Sequence, residues 1–144
     1  WNITRAVALT AMLPSPHGVI VNVTANVERG FPGMAHTGAA RAGVENLTKT
    51  LAIEWVSRNV RVNCVAPGFI QTEAMSRYPQ ELVALAQKNT PLKRLGTALE
   101  VAHMIVFLAS PGASFITGET FYVDGGARLW GETWPIPERE VAHA

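Results

Sequence analysis

Side chains able to perform chemistry gather in two short segments of this 144-residue chain. His36 and Thr37 stand at the start of a run with helical periodicity, and Arg41 follows Thr37 by four residues. Because residues four apart share one face of a helix, the hydroxyl and guanidinium groups would lie side by side. The second segment, residues 67–72 (Pro-Gly-Phe-Ile-Gln-Thr), directly follows a predicted strand. Open α/β sheets bind ligands at the carboxyl ends of their strands, so this turn is a candidate binding site.

Residue counts exclude several other kinds of site. Cys64 is the only cysteine and Asp124 the only aspartate, which excludes a disulfide framework, cysteine-based zinc sites and paired-aspartate chemistry. None of the four histidines has metal-ligand spacing beside a carboxylate, so we expect no metal. Only 16% of the residues are charged and the net charge is +1, which argues against a nucleic-acid-binding module.

The sequence also bounds the location of the protein. No apolar run reaches the ~18 residues that a membrane-spanning helix needs, and no secretory signal opens the chain. A lone thiol is typical of a reducing compartment. We therefore expect a soluble cytoplasmic protein with no membrane span, with an organellar lumen as the alternative.

The elements that would position the two segments alternate between strand and helix. Apolar β-branched runs predict strands over 19–23, 60–66 and 120–124, and periodicity predicts helices at the opening of the chain, from about 36 to 58, near 80–88 and over 99–109. Residues 28–38 predict a loop, and residues 129–144 show no periodicity. A right-handed crossover makes the first two strands parallel, with the long helix on one face.

A three-stranded parallel sheet is too small to stand alone, because both faces and both edges of such a sheet need protection. The chain also opens at Trp1, already within a helical pattern, as a chain entered inside a domain would. We therefore expect an α/β, Rossmann-like but incomplete parallel sheet with flanking helices, which is either half of a doubly wound domain or dependent on a partner.

Three segments resemble one family, in the right order and at the right intervals. They are Gly-Val-Ile-Val-Asn-Val at 18–23, Val-Arg-Val-Asn-Cys-Val-Ala-Pro-Gly-Phe-Ile-Gln-Thr at 60–72 and Phe-Ile-Thr-Gly-Glu-Thr-Phe-Tyr-Val-Asp-Gly-Gly at 115–126. Together they resemble the short-chain dehydrogenase/reductase family. The resemblance implies that residues 1–144 are the C-terminal half of a single Rossmann-like domain, with a core over 1–128 and a tail over 129–144. Residues 30–33 and 36–55 look most like peroxisomal trans-2-enoyl-CoA reductases and citronellol-type dehydrogenases.

The resemblance implies an NAD(P) cofactor. Pro67 and Gly68 would lie along the nicotinamide, with backbone groups of Ile70 on the carboxamide and the hydroxyl of Thr72 near the phosphates. Arg41 would bind ribose hydroxyls through its guanidinium. The glycine-rich phosphate-binding turn belongs to the family's other half, which also chooses between NAD and NADP, so that choice stays open.

The catalytic positions of the family are substituted in this sequence. Its members use a serine at the end of a strand and a tyrosine and lysine four apart on the next helix, which correspond here to Ala25, Thr37 and Arg41. A guanidinium stays protonated and cannot shuttle protons, and a threonine hydroxyl is a far weaker acid than a phenol. The tyrosine positions of dienoyl-CoA and trans-2-enoyl-CoA reductases fall on Asn26 and Glu45. Tyrosine-dependent interconversion of alcohol and ketone is therefore not expected.

Enoyl reduction demands less, because the developing thioester enolate needs hydrogen-bond donors rather than an immediate proton on oxygen. We expect Thr37 and Arg41 to form this oxyanion site, with His36 as the proton source, since imidazole titrates near neutral pH. A helix-entry role for His36, bonded to nearby backbone, is the alternative. Thr24 could replace the missing serine only if the end of the strand were shifted in register.

The substrate and partners follow from apolar surfaces. The segment that ends at residue 96 carries few charges and several apolar side chains, which suit an acyl-CoA or terpenoid substrate. These side chains are Met75, Tyr78, Leu82 and Leu85. By resemblance, the long helix would pack against its symmetry mate in a homodimer or homotetramer. We expect an NAD(P)-dependent oxidoreductase acting on an enoyl-CoA or on a terpenoid or fatty alcohol or aldehyde. The alternative is a catalytically silent fragment that serves in oligomerisation or binding.

Overall fold

A computed structural model describes residues 1–15 and 17–130. The helices are α1 (Asn2–Val7), α2 (Ala35–Glu54), α3 (Gln80–Asn89) and α4 (Ala98–Ala109), with a π-helical segment over Ala8–Met12 and 3₁₀ turns at Val56–Arg58, Glu73–Arg77 and Pro111–Ala113. The strands are β1 (Gly18–Val23), β2 (Val60–Pro67), β3 (Ile70–Gln71), β4 (Gly96–Thr97) and β5 (Thr120–Val123). The predicted α/β class is confirmed.

The main sheet has the order β1-β2-β5, and all its pairings are parallel. Val19 of β1 aligns with Arg61 of β2, and Val65 of β2 aligns with Phe121 of β5. β3 and β4 form a separate parallel pair beyond the carboxyl end of β2. The carboxyl ends of the three long strands therefore meet at one edge of the sheet, where the candidate residues lie.

Helices cover both faces of the main sheet, because alternate side chains of a strand point to opposite faces. On one face, Val60 and Val62 pack with Leu51 of α2 and with residues of the π-helical segment. On the other face, Val65 packs with Leu108 of α4. Leu51, Val62, Val65 and Leu108 are all almost completely buried. This two-sided burial explains why the strands are apolar runs rather than alternating ones.

The ends of the elements follow local chemistry. Thr97 caps α4: its hydroxyl accepts from the N–H of Glu100, whose carboxylate accepts from the N–H of Thr97, which is a capping box. Asn59 ends the 3₁₀ turn before β2 in a left-handed conformation, with φ of 53°.

The predicted loop over 28–38 was too long. α2 begins at Ala35, so Gly38 lies inside the helix. A Cβ on Gly38 would lie 2.9 Å from the Cβ of Phe31, so glycine is needed here for packing rather than for a turn. At its other end, α2 stops at Glu54 rather than continuing to Arg58. The predicted tail over 129–144 lies outside the described residues from residue 131 onward.

Within the described part of the chain, none of the helices combines the length and the hydropathy needed to cross a bilayer.

Candidate active site

Three main-chain hydrogen bonds join the carboxyl ends of β1, β2 and β5. The N–H of Thr24 donates to the carbonyl of Val65 at 2.9 Å, and the N–H of Asn26 donates to that of Pro67 at 3.2 Å. On the other side of the turn, the N–H of Gly68 donates to the carbonyl of Val123 at 3.1 Å. The Pro67–Gly68 turn is thus held between the loop after β1 and the end of β5.

Glycine is required at position 68 for a steric reason. A Cβ there would lie 2.8 Å from the Cα of Asp124 and 2.8 Å from its Cβ. Such distances are far inside normal contact, and the obstacle is main chain, which cannot rotate away. The turn therefore packs directly on the end of β5, and any larger residue would displace it.

The backbone of Ile70 faces away from β4. The N–H of Gly96 donates to the carbonyl of Phe69 at 2.9 Å, so that carbonyl points toward β4. The peptide bonds of the described residues are all trans, which places the N–H of Ile70 on the opposite side. This orientation leaves an N–H beside the turn that can donate to a ligand. Thr72 lies two residues further on, exposed, just before the 3₁₀ turn at Glu73–Arg77.

Arg41 reaches from α2 to the end of β1. Its Nη1 donates to the carbonyl of Val23 at 3.2 Å, which fixes the guanidinium beside Thr24 and Ala25. Thr37 is half-buried one turn earlier on the same face of α2, whereas His36 is exposed. A guanidinium has five N–H donors, so one bond to Val23 leaves others for a ligand.

The hydroxyl of Thr24 does not replace the missing serine. Thr24 is only 6% exposed, and its Oγ1 lies 3.3 Å from the Sγ of Cys64, where either group can donate. The side chain is therefore turned into the interior between β1 and β2. The strand end keeps its register, and Ala25 occupies the serine position without a hydroxyl.

A second polar group lies beneath this strand end. Burial raises the pKa of Glu45, one turn after Arg41 on α2, and the nearby Lys49 ammonium offsets part of that rise. Burial likewise raises the pKa of the Cys64 thiol. The Oε1 atom of Glu45 and the hydroxyl of Thr120 are buried, and no hydrogen-bond partner for them is found in the described residues.

Asp124 is a functional candidate that the sequence analysis used only to exclude other chemistry. Its carboxylate accepts from the N–H groups of Gly126 at 2.9 Å and Arg128 at 2.6 Å, and from Nδ2 of Asn26 at 3.3 Å. An aspartate that precedes Gly-Gly at a strand end is typical of an Asx turn, and that signal was available in the sequence. Its bond to Asn26, 98 positions away, was not.

Charged and aromatic side chains lie near Asp124. Arg128 lies over the ring of Tyr122, 4.5 Å from its centroid, and pairs with Glu28 at 3.0 Å. Beyond Asp124 is a cavity of about 550 Å³. Its lining includes Phe69, Leu92, Arg94, Glu100, Met104, Tyr122, Val123 and Asp124.

Arg94, which lines this cavity, forms an ion pair with another residue of the chain. Both of its Nη atoms donate to the carboxylate of Glu100, at 2.6 and 3.0 Å, and this contact with the Thr97 cap lowers the pKa of Glu100 to about 2. Arg94 is therefore a helix-end ion pair rather than a free cation for a ligand phosphate. In residues 1–15 and 17–130, no group of three or more His, Cys, Asp or Glu side chains is arranged to hold a metal ion.

The structure thus brings together some of the site residues that the sequence predicts. Arg41 meets the end of β1, and that strand end is bonded to the Pro67–Gly68 turn. Thr37 shares the helix face of Arg41, while His36 and Thr72 lie at the exposed margin. The cofactor and catalytic roles of these residues stay predictions.

Comparisons with known proteins give a consistent picture. The family model described as "Enoyl-(Acyl carrier protein) reductase" matches residues 1–128. A peroxisomal 2,4-dienoyl-CoA reductase from Pongo abelii is 47% identical over 116 residues, which cover 78% of this chain and 40% of the relative.

Two solved structures are similar over a comparable part of the chain. The citronellol catabolism dehydrogenase AtuB of Pseudomonas aeruginosa PAO1 superposes with a TM-score of 0.75 at 46% identity, covering 88% of this chain and 48% of that protein. A 7α-hydroxysteroid dehydrogenase, solved with NADH and 7-oxo glycochenodeoxycholic acid, gives 0.81 at 30% identity, covering 87% and 49%. The chain spans half or less of the length of each of these three proteins.

Proposed function

The chain belongs to the short-chain dehydrogenase/reductase family, a family of oxidoreductases, and from that membership we propose that its protein reduces the carbon–carbon double bond of an enoyl-CoA with NAD(P)H. We propose further that residues 1–128 supply the C-terminal half of one Rossmann-like domain. The half-length match to full relatives supports this assignment.

One observation carries the choice of reaction: the strand end at Ala25 has a fixed cation beside it and no acidic hydroxyl. Arg41 is anchored by Val23, Thr24 is turned inward, and Thr37 offers an aliphatic hydroxyl. Reduction of a ketone needs a proton on the alkoxide oxygen during the reaction, which neither Arg41 nor Thr37 can deliver readily. Reduction of an enoyl thioester creates an enolate, which donors alone stabilise.

The chain's own residues would bind and orient the reactants. The bound cofactor supplies a hydride for the β-carbon of the substrate. The N–H of Ile70 would hold the carboxamide beside the Pro67–Gly68 turn, and Thr72 would donate to a phosphate. Arg41 would bind ribose hydroxyls with one edge of its guanidinium, and Arg41 and Thr37 would donate to the thioester oxygen as negative charge develops there. NAD versus NADP is left open.

Protonation of the α-carbon completes the reaction. His36 is exposed in the first turn of α2, next to Thr37, where it can exchange protons with water and pass one to the enolate. This role predicts that His36→Ala slows turnover.

The experiment is NAD(P)H oxidation by the complete protein against a panel of trans-2-enoyl-CoAs and citronellal. We expect enoyl-CoA turnover, with a loss of ten-fold or more in kcat for Thr37→Val, since an oxyanion donor is worth about 10²-fold or more. Thr50→Val, on the exposed part of the same helix, is the matched control. Turnover of citronellal alone would contradict the enoyl proposal, as would an unchanged rate in both Thr37→Val and His36→Ala.

The alternative is a catalytically silent member of the family that serves in association. It is favoured by the exposed apolar residues of α1 and of the end of α2, where Ile3 is 82% and Ile53 74% exposed. Such exposure is typical of an interface, and we propose a homodimer or homotetramer through this surface in either case. Absence of any NAD(P)H-dependent turnover, with no NAD(P)H binding, would favour the silent alternative. The lone buried thiol of Cys64 suits a cytoplasmic or organellar location.

A further inference from the structure

Asn26 is the residue at which the three strand ends are joined. Its main-chain N–H donates to the carbonyl of Pro67 at 3.2 Å, and its Nδ2 donates to Oδ2 of Asp124 at 3.3 Å. It therefore links the loop after β1 both to the turn that follows β2 and to the end of β5. The bond to Asp124 requires the amide nitrogen, because a carboxylate only accepts.

Asp124 is a fixed acceptor for this amide. Two main-chain N–H groups, of Gly126 and Arg128, already hold its carboxylate, and Gly68 packs against its Cα with no room for a Cβ. The carboxylate cannot follow a moving partner without breaking these contacts. The position of Asn26 is therefore set by Asp124 rather than the reverse.

Both halves of the candidate site lie within three residues of this junction. The carbonyl of Val23, which anchors Arg41, is three residues before Asn26, and Ile70 is two residues after Gly68. A shift of Asn26 away from Asp124 would change the separation between the guanidinium and the N–H of Ile70. Misplacement of reacting groups by about 1 Å can cost about 10²-fold in rate.

We propose that Asn26 is a positioning residue: through its bond to Asp124 it holds the Pro67–Gly68 turn against the end of β1 and so sets the distance between the hydride donor and the oxyanion donors. The inference rests on the proposed function, but the positioning itself can be measured without turnover. Asn26 contacts neither reactant in this account.

Replacement of Asn26 by aspartate has a consequence that is specific to this proposal. Asn26→Asp would place a second carboxylate about 3.3 Å from that of Asp124, and two carboxylates so close cannot both ionise freely. Other charges face this pair: Arg128 and Glu28, paired with each other, and Arg94 with Glu100 across the cavity. Tyr122 also lines that cavity. Arg128 and Arg94 each have an opposite partner, and Arg41, near the same strand end, is held on the carbonyl of Val23.

The test compares Asn26→Ala and Asn26→Asp in the complete protein. For Asn26→Ala we expect kcat to fall about 10- to 100-fold, because misplacement of the reacting groups slows the chemical step. Asn26→Asp should gain activity as the pH is lowered, since protonation restores a donor.

Glu28→Gln is the matched control. It breaks the exposed Glu28–Arg128 ion pair in the same loop, two residues from Asn26, and should leave kcat and its pH profile unchanged. An unchanged kcat in Asn26→Ala would overturn the proposal. So would an Asn26→Asp variant that is inactive at every pH, because that pattern marks a merely structural role.

Amide hydrogen exchange tests the positioning role of Asn26 independently of the proposed function. In Asn26→Ala, the N–H groups of residues 26 and 68 should exchange faster, while those of the core strands keep wild-type rates. If the wild-type protein shows no NAD(P)H-dependent turnover, the proposed function fails; faster exchange at these residues still supports the positioning role, and equal exchange overturns it.

Discussion

Substitution of Gly68 by alanine tests the turn on which the candidate cofactor site depends. The new Cβ would lie 2.8 Å from both the Cα and the Cβ of Asp124 and 3.2 Å from its carbonyl oxygen. Normal carbon contacts begin near 3.5 Å, so the turn or the end of β5 must move by about 0.7 Å. Overpacking of this kind costs about 1–3 kcal/mol of stability.

The same displacement acts on ligand binding. The N–H of Ile70 is two residues away and would move with the turn, so we expect NAD(P)H affinity to fall about ten-fold or more. Isothermal titration calorimetry with NAD(P)H measures this loss, and thermal unfolding measures the loss of stability.

Gly96→Ala is the matched control for Gly68→Ala. Its Cβ would meet the Cδ1 atom of Ile70 at 2.7 Å, an equally short distance, but Cδ1 is the end of a flexible side chain that can rotate. We expect a smaller effect on both measurements. Wild-type affinity and melting temperature in Gly68→Ala, or equal damage by both substitutions, would refute the steric argument.

Three further predictions concern stability. Gly43→Ala adds a Cβ in open space within α2 and should raise the free energy of unfolding by about 0.5–1 kcal/mol, measured by urea denaturation; a loss would show that this face is covered. Thr97→Ala removes the cap of α4 and should cost about 1 kcal/mol, seen as a lower melting temperature that Thr97→Ser largely restores. The folded-state pKa of Glu45 is raised above 4.5, so the folded state binds more protons in that window and stability falls as the pH rises through it. Glu45→Gln should remove this fall and gain on the order of 1 kcal/mol or less at neutral pH, and an identical pH profile in the variant would contradict the burial of its carboxyl group.

Local chemistry made most of the fold predictable. The β-branched runs located β1, β2 and β5 to within a residue or so, and the periodicity located the start of α4 to within a residue. The loop before α2 was predicted too long because Gly38 resembles a loop residue until Phe31 is seen to fill the space beside it. That contact depends on how the preceding loop folds back, which no local pattern records.

The residues of the candidate site could be predicted from the sequence, but the hydrogen bonds that join them could not. Arg41 and the Pro67–Gly68 turn were identified from spacing and resemblance, and both lie at the expected edge of the sheet. The bond from Asn26 to Asp124 joins residues 98 positions apart, and a single sequence contains no signal for such a pair. The inward rotation of Thr24 toward Cys64 likewise became visible only in three dimensions.

The most direct test of the central claim is the position of label after reduction with deuterated NAD(P)H. The complete protein would be incubated with a trans-2-enoyl-CoA and, separately, with citronellal, and the products analysed by mass spectrometry and NMR. We predict deuterium at the β-carbon of the saturated acyl-CoA, formed at least ten-fold more slowly by Thr37→Val. Deuterium only at the carbonyl carbon of the citronellal product, with no label in acyl-CoA, would contradict the account.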